Sequence, residues 1–598
     1  MIRIADYIAQ KLVDEGITDL FMVTGGAAMH LNDAFGRRPD LKIICCHHEQ
    51  ACTMAAESYF RLTNRLAAVN VTAGPGATNT ITGVYGAYVD SMGMIVISGQ
   101  AKWETLVQST DLPLRQLGDQ EVDIVNMVKG ITKYAVLVKE PTSIRYHLER
   151  ALHLAKSGRP GPVWLDVPIA VQGAMIDPEK LKGYDSAEDE IVYETKNLTE
   201  SISKIIQQLS VAKRPVIYAG TGIRLSGQYE NFLKLVNQLG IPVVPAWNSN
   251  DLLIDDDPVY AGRPGSIGNR AGNFTVQNAD FLLVLGCRLN IRLISYNWEN
   301  FAPHAIIAMV DIDAAELKKP TLRIDIPVHA DLSEAVPQLL QASQSWKPHH
   351  HEWLAWCKER LVRYPVVTAA MKQEKDGINP YYFMEQLFEL LKEDDIIACG
   401  DGTASVTSMQ AAIIKKNQRI FHNSGCASMG YDLPAAIGAA IANPRHKRII
   451  CIAGDGSIMM NLQELQTIIH HQLPIKIFIL NNRGYHSIRQ TQANFFSDNI
   501  VGCGTESGLS FPDFEKIAAA FKMSFQRVHE HANVHEIIKQ TLAQPGATIC
   551  EIILDLHQSF EPKLSSRKLD DGKMVTASLE DMAPFLSREE LAENMLLS

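Results

Sequence analysis

An aspartate in a glycine turn and a later pair of asparagines could together hold a metal ion and a phosphate. Asp455 would supply a hard anionic oxygen, Asn482 a neutral one, and the backbone carbonyl at Gly484 a third. Mg²⁺ prefers about six oxygens and commonly takes some of them from the phosphates of a bound molecule. The residues therefore predict a Mg²⁺ site completed by a diphosphate.

The elements around these residues explain how they could meet. The apolar runs 448–453 and 475–480 are predicted strands, and 458–472 is a predicted helix between them. A strand, helix, strand order makes the two strands parallel, so the residues after both strands face the same edge of a sheet. Backbone amides at a helix N-terminus bind phosphate, and glycines let the phosphate approach. The amides expected to do so belong to Gly454, Gly456 and Ser457.

Short apolar runs alternate with helical patterns throughout the chain, which predicts an α/β fold of three doubly wound parallel-sheet domains. The predicted domains are 1–175, 190–345 and 370–560, followed by a tail at 561–598 that is poor in strand signals. In the middle domain, the last strand is predicted at 305–313.

Composition excludes several classes of protein. The 598 residues are 46% hydrophobic and 21% charged, which is typical of a globular protein, and this length favours about three or four domains. The formal net charge of −11 argues against nucleic acid or an anionic membrane as a partner. No run approaches the roughly 20 apolar residues of a membrane span.

The cysteines and the N-terminus suggest a compartment. The ten cysteines are scattered, with no CxxC pair and no histidine cluster at zinc spacing, and we interpret them as reduced thiols. The first residues enter a helical pattern directly and lack the apolar stretch of a signal peptide. We expect a cytoplasmic protein.

The complete unit of GDG, 24 residues and NN resembles the binding motif for thiamine diphosphate (ThDP) in the pyruvate decarboxylase and acetolactate synthase superfamily. The resemblance implies that Asp455, Asn482 and the carbonyl of Gly484 bind Mg²⁺. Further matching segments imply cofactor contacts at the positions that follow. These are Gly25, Gly74, Gly76, Asn79, Gly400, Gly402, Met429 and Tyr485, with Met429 as the apolar prop under the cofactor.

The resemblance also supplies a catalytic residue. The cofactor needs a carboxylate that drives its aminopyrimidine into the imino form. The turn His47-His48-Glu49-Gln50 is similar to the turn that carries this glutamate in the superfamily. Glu49 is therefore the predicted activating residue, and its proton affinity would be tuned by its surroundings.

Features of acetolactate synthase large subunits extend over nearly the whole chain, to about residue 560. Gln120 takes the place of the family's glutamine over the reacting intermediate, and Arg292 that of the arginine that meets the acceptor's carboxylate. The middle domain of these enzymes binds FAD, and the pattern implies FAD contacts at Arg159, Gly220, Gly222 and Asp311.

The resemblance further implies partners. In the superfamily, the pyrimidine-binding domain of one subunit meets the diphosphate-binding domain of another. A homodimer or homotetramer is therefore expected, with a regulatory small subunit as an open question.

The chain departs from the family around the acceptor. Asp119 replaces a phenylalanine, Ile291 replaces an aspartate, and Thr491 stands where the family has a tryptophan. Loss of a large aromatic wall would admit a bigger and more hydrophilic acceptor.

The predicted activity is decarboxylation of a 2-keto acid donor, with pyruvate expected, and ligation of the two-carbon unit to an acceptor carbonyl. One alternative is a carboligase that adds this unit to a nucleotide-linked ketosugar. Others are a pyruvate oxidase, a simple decarboxylase and, outside enzymes, a cofactor-binding scaffold.

Overall fold

The computed structural model describes residues 1–373, 377–443, 447–496, 499–568 and 574–596. Three parallel sheets, of six, five and six strands, form in chain order and are covered by helices, as the sequence predicts. In the described residues, no helix is both long and apolar enough to cross a membrane.

The first sheet has the strand order β3-β2-β4-β5-β7-β6, and all its pairs are parallel. Its central strands are buried on both faces, as expected of a sheet between two helix layers. The strands of this region are β1 Ile2–Arg3, β2 Asp19–Met22, β3 Lys42–Cys45, β4 Ala68–Val71, β5 Met94–Gln100, β6 Tyr134–Leu137, β7 Pro162–Pro168 and β8 Met175–Ile176. The helices are α1 Ile4–Asp14, α2 Met29–Gly36, α3 Glu49–Thr63, α4 Pro75–Thr78, α5 Ile81–Val89, α6 Ile124–Val128, α7 Ile144–Lys156 and α8 Ile169–Gly173.

The second sheet has the order β10-β9-β11-β12-β13. Its strands are β9 Pro215–Ala219, β10 Val243–Pro245, β11 Phe281–Leu285, β12 Ile306–Asp311 and β13 Ile326–His329. The helices are α9 Leu198–Val211, α10 Gly222–Leu225, α11 Tyr229–Leu239, α12 Arg270–Gln277, α13 Ile291–Ile294, α14 Leu332–Ala342 and α15 His351–Arg363. The prediction that 305–313 is the last strand is wrong, because β13 follows it. This strand is short and contains Pro327, which an edge strand tolerates.

The third sheet has the order β15-β14-β16-β17-β19-β18. Its strands are β14 Ile396–Cys399, β15 Arg419–Phe421, β16 Ile449–Gly454, β17 Ile475–Asn481, β18 Ser524–Val528 and β19 Thr548–Ile553. The helices are α16 Pro380–Leu390, α17 Thr403–Ala411, α18 Asp432–Ile441, α19 Asp455–Ile458, α20 Glu464–His470, α21 His486–Phe496, α22 Phe514–Ala520 and α23 Val534–Ala543.

The single helix predicted at 458–472 is wrong in detail, because a tight turn at Met459–Asn461 separates α19 from α20. The turn places the buried Asn461 amide against the Gly430 carbonyl at 2.7 Å and the Gln50 side chain at 2.9 Å. These polar contacts compete with a continuous helix.

The tail is more structured than its sequence suggests. It contains a hairpin of β20 Ser566–Lys568 and β21 Met574–Thr576, followed by α24 Arg588–Glu593. These elements are too short to give a clear hydrophobic period. The tail is bonded to the second region, where Asn273 on α12 donates to the Leu579 carbonyl at 2.8 Å and Asn278 donates to the Asn594 carbonyl at 2.8 Å.

Candidate active site

The predicted metal ligands lie at the carboxyl edge of the third sheet. β16 and β17 are parallel neighbours with Gly454 opposite Leu480, so Asp455 and Asn482 follow adjacent strand ends. The Asp455 carboxylate is buried and accepts the backbone N–H groups of Gly456 at 2.8 Å and Gly484 at 3.0 Å. Burial raises its pKa to about 7, although these two hydrogen bonds oppose the shift.

Asn482 has a free oxygen beside this carboxylate. Its side-chain N–H donates to Thr403 Oγ1 at 3.0 Å, while its Oδ1 atom is buried and has no hydrogen-bond partner. A buried oxygen without a donor is costly unless something binds it. An Asp oxygen and an orphaned amide oxygen at one edge fit a hard cation such as Mg²⁺. The described residues contain no group of three or more His, Cys, Asp or Glu side chains that could hold a metal ion.

The loop after Asn482 is held by a residue that sequence reasoning missed. Arg489 on α21 donates to the carbonyls of Asn482, Arg483 and Cys503 at 3.1 to 3.3 Å. Gly484 adopts φ +149°, and a Cβ there would collide with the Cys503 carbonyl oxygen. Arg489 thus fixes the approach of Gly484 to Asp455, and its charge partly opposes the rise in the pKa of that carboxyl that burial causes. In the sequence, the signal available for Arg489 was its position seven residues after Asn482, within the run that follows the paired asparagines.

The other predicted diphosphate contacts surround Asp455. Gly400 follows β14, and Gly402 precedes α17 with φ +82°. Ser457 donates to Asp432 Oδ2 at 2.5 Å and accepts the Gly430 N–H at 2.9 Å, which ties α19 to the segment that contains the half-buried Met429. Asp432 is a second residue that sequence reasoning missed. The Tyr485 ring packs over Gly456 and against Phe511, with 6.1 Å between the two ring centroids.

Glu49 is placed at the carboxyl edge of the first sheet. It is the first residue of α3, just after β3, and its Oε2 atom accepts the Asn79 side-chain N–H at 2.9 Å. A Cβ on Gly76 would lie 3.5 Å from Glu49 Oε1, so the loop after β4 passes directly beside the carboxylate. Gly25 follows β2 and packs against Thr72 at the same edge.

Gln120 lies next to this loop. Gly74 has φ +61°, and a Cβ there would lie 2.5 Å from the Gln120 carbonyl oxygen, so this close approach requires glycine. Gln120 itself is exposed and has φ +56°, which is uncommon for a residue with a side chain. The structure therefore brings together Glu49, Gly74, Gly76, Asn79 and Gln120.

Arg292 comes from the second region. It lies on α13, and its guanidinium is 5.3 Å from the centroid of the Trp247 ring. Trp247 in turn donates from Nε1 to the buried His422. Burial lowers the pKa of His422, and the positive charge of Arg292 adds to that shift. Burial raises the pKa of Asp401, and the charge of Arg292 opposes that rise, which places the guanidinium near the turn at Gly400–Gly402.

The four residues predicted to contact FAD line one cavity of about 420 Å³. Gly220 and Gly222 follow β9, and a Cβ at Gly222 would lie 2.7 Å from Gly286 Cα. Asp311 ends β12 and is buried, which raises its pKa to about 6. Arg159 donates to Asp313 at 2.8 Å and to Glu316 at 3.1 Å. Glycine turns and a carboxylate at the carboxyl edge of a parallel sheet suit a dinucleotide.

The chain matches three family models. Residues 2–127 match the thiamine pyrophosphate (TPP) enzyme N-terminal TPP binding domain, residues 202–339 the central domain, and residues 400–552 the C-terminal TPP binding domain. Each match covers most of the strands of a different one of the three sheets.

Curated relatives match the chain over most of its length. It is 32% identical to acetolactate synthase 2, chloroplastic, of Zea mays, over 94% of the chain and 87% of the relative. Identity to the probable acetolactate synthase large subunit of Methanocaldococcus jannaschii is 32%, over 96% and 98% respectively. The acetolactate synthase large subunit of Lactococcus lactis is 30% identical, over 93% of both chains.

Proposed function

Because this chain belongs to the thiamine pyrophosphate enzymes, as a relative of the acetolactate synthases, we propose that it decarboxylates pyruvate and ligates the two-carbon unit to an acceptor carbonyl. The observation that carries the proposal is the orphaned Asn482 Oδ1 atom beside the buried Asp455 carboxylate. Mg²⁺ bound there would satisfy the amide oxygen and keep the carboxylate ionised.

Thiamine diphosphate, when bound, supplies the nucleophilic carbon and the electron sink for loss of CO₂. The protein contributes position and charge. Asp455, Asn482 and the Gly484 carbonyl would hold Mg²⁺, and the turns at Gly400–Gly402 and Gly454–Ser457 would receive the diphosphate. Glu49 would exchange a proton with the pyrimidine, and Asn79 would orient its carboxylate through the 2.9 Å hydrogen bond.

Gln120 and Arg292 would act on the reacting molecules. Gln120 is exposed beside the Glu49 loop, where its amide can hydrogen-bond a substrate oxygen. Arg292 can bind an acceptor carboxylate through two parallel N–H groups. Its stacking on Trp247 would fix the plane of the guanidinium.

We also propose a homodimer or homotetramer. Within the chain, the Glu49 turn meets the third region through the His47 N–H, which donates to Glu464 at 3.0 Å, and through the Asn461 amide, which donates to Gln50 at 2.9 Å. The proposal of an oligomer therefore rests on the resemblance to the superfamily. A partner subunit would complete each site by bringing its first sheet to the third sheet of this chain. A regulatory small subunit and residence in the cytoplasm, where the ten free thiols would stay reduced, remain predictions.

Release of CO₂ from pyruvate tests the decarboxylation step. Purified protein should release CO₂ only when both ThDP and Mg²⁺ are present, without consuming oxygen. Oxygen consumption that matches CO₂ release would instead identify a pyruvate oxidase. No CO₂ release from pyruvate or other 2-keto acids would overturn the proposal.

The central cavity makes a separate prediction about FAD. The purified protein should carry flavin, seen by its visible absorbance, and Gly222→Ala should lower the flavin content because the added Cβ meets Gly286. Gly130→Ala is the matched control, since a Cβ there meets nothing within 4 Å. Equal flavin content in both variants, or a wild-type protein that binds no FAD, would contradict this assignment.

A further inference from the structure

The segment that leads into the tail packs against α21, the helix that carries Thr491. The Gln558 carbonyl accepts from the ring of His486 at 2.8 Å and from the amide of Gln490 at 3.3 Å, both on α21. The Leu564 N–H donates to the Ser266 carbonyl at 2.8 Å. The segment 558–564 therefore runs between α21 and the loop at 265–268.

This segment places one cation against α21. The Lys563 ammonium lies 3.4 Å from Gln490 Oε1 and is partly buried. Its backbone is fixed by two hydrogen bonds to Ala583, at 3.0 and 2.8 Å. Burial lowers the pKa of Lys563, which Glu561 opposes. In the described part of the chain, no carboxylate oxygen lies within the 4.0 Å of an ion pair with this ammonium.

When a partly buried cation contacts only a neutral amide, that contact offsets little of the free energy lost by removing the charge from water. Removing a charge from water costs free energy unless an opposite charge or several acceptors replace the water. Two other partly buried cations at the tail interface have such groups: Arg270 binds the carbonyls of Met582 and Pro584, and Arg360 pairs with Glu359 and also binds Asn594. Lys563 has the Gln490 amide oxygen in this place, at 3.4 Å.

Arg292 lies on the other side of the same loop. The Ser266 N–H donates to the Arg292 carbonyl at 2.8 Å, while the Ser266 carbonyl accepts from Leu564. Backbone segments joined in this way are about 5 Å apart, so those of Arg292 and Lys563 lie roughly 10 Å apart. The exposed Thr491 is on α21, one residue after Gln490. Two cations, Arg292 and Lys563, thus lie on either side of the loop at 265–268.

We propose that Lys563 binds an anionic group of the acceptor substrate, apart from the carbonyl that is attacked. This inference rests on the proposed function and specifies its acceptor. The group is a carboxylate or the phosphate of a phosphate ester. An ammonium is a compact point charge that serves either, whereas the Arg292 fork favours a planar, bidentate partner.

Three acceptors, each tested with pyruvate as the donor, distinguish a carboxylate from a phosphate ester. 2-Ketobutyrate carries a carboxylate, dihydroxyacetone phosphate carries a phosphate ester, and dihydroxyacetone carries neither. Lys563→Gln should raise the KM of the anionic acceptor that the enzyme uses by roughly 10- to 100-fold, the expected loss for a charged hydrogen bond. The rate of CO₂ release in a single turnover of pyruvate should stay the same. Lys563→Arg should recover most of the acceptor affinity.

Lys358→Gln is the matched control. Lys358 is also partly buried, and its ammonium donates to the Asp257 carbonyl at 2.7 Å. If the KM rises for 2-ketobutyrate alone, the group that Lys563 binds is a carboxylate. If the KM rises for dihydroxyacetone phosphate alone, the group is a phosphate ester. Unchanged KM values for both anionic acceptors in Lys563→Gln would overturn the inference. Wild-type protein that releases no CO₂ from pyruvate would overturn the proposed function instead.

Discussion

Glu49→Gln lowers the rate of CO₂ release from pyruvate by roughly 10²- to 10⁴-fold, the usual contribution of a positioned acid or base. Glutamine keeps the length of the side chain and can still accept a hydrogen bond from Asn79, which lies 2.9 Å away in the wild type. It cannot exchange a proton with the cofactor. ThDP should therefore still bind, and the loss should fall on kcat rather than on the ThDP concentration needed for half-maximal activity.

The exposed Glu140 in the same region provides a control, because Glu140→Gln makes the same chemical change away from the site. Both variants should unfold at the wild-type temperature. Wild-type rates in Glu49→Gln would end the assignment of this glutamate as the activating residue.

Asp455→Asn should abolish Mg²⁺-dependent activity. Removing a residue that only hydrogen-bonds to a metal ligand weakens metal binding by roughly 10- to 100-fold. Asp455 is itself the only predicted anionic protein ligand, so its loss should weaken Mg²⁺ binding by more than about 100-fold. Isothermal titration with Mg²⁺ in the presence of ThDP measures this directly.

Asp166→Asn is the matched control for Asp455→Asn. Asp166 is also buried, with a pKa raised to about 7, but it lies in the first sheet and accepts from Ser98 at 2.6 Å and Gln100 at 2.9 Å. We expect its variant to bind Mg²⁺ as the wild type does. Equal Mg²⁺ affinity in the two variants would mean that Asp455 is not a ligand.

The sheets and the metal loop could be predicted because their signals are local. Apolar runs between glycine turns mark buried parallel strands, and the spacing of Asp455 and Asn482 implies one crossover between adjacent strands. β13 and the tail hairpin were missed because strands of three or four residues give no reliable period.

The supporting residues were beyond sequence reasoning because their contacts are formed by distant parts of the chain. Arg489 reaches the Cys503 carbonyl, and Lys563 meets Gln490 across 73 residues. The run after the paired asparagines marks Arg489 as a residue of interest, but no spacing predicts either contact. The roles predicted for Glu49, Gln120 and Arg292 came from resemblance, and the structure supplies their neighbours.

Product analysis tests the central claim most directly. Purified protein would be incubated with ThDP, Mg²⁺, FAD and pyruvate, alone and with each of the three acceptors, and the products identified by mass spectrometry. A ligated product that contains the two-carbon unit of pyruvate, and is lost in Glu49→Gln, is the predicted result. Free acetaldehyde or acetate as the only product, with every acceptor unchanged, would contradict the account of this protein as a carboligase.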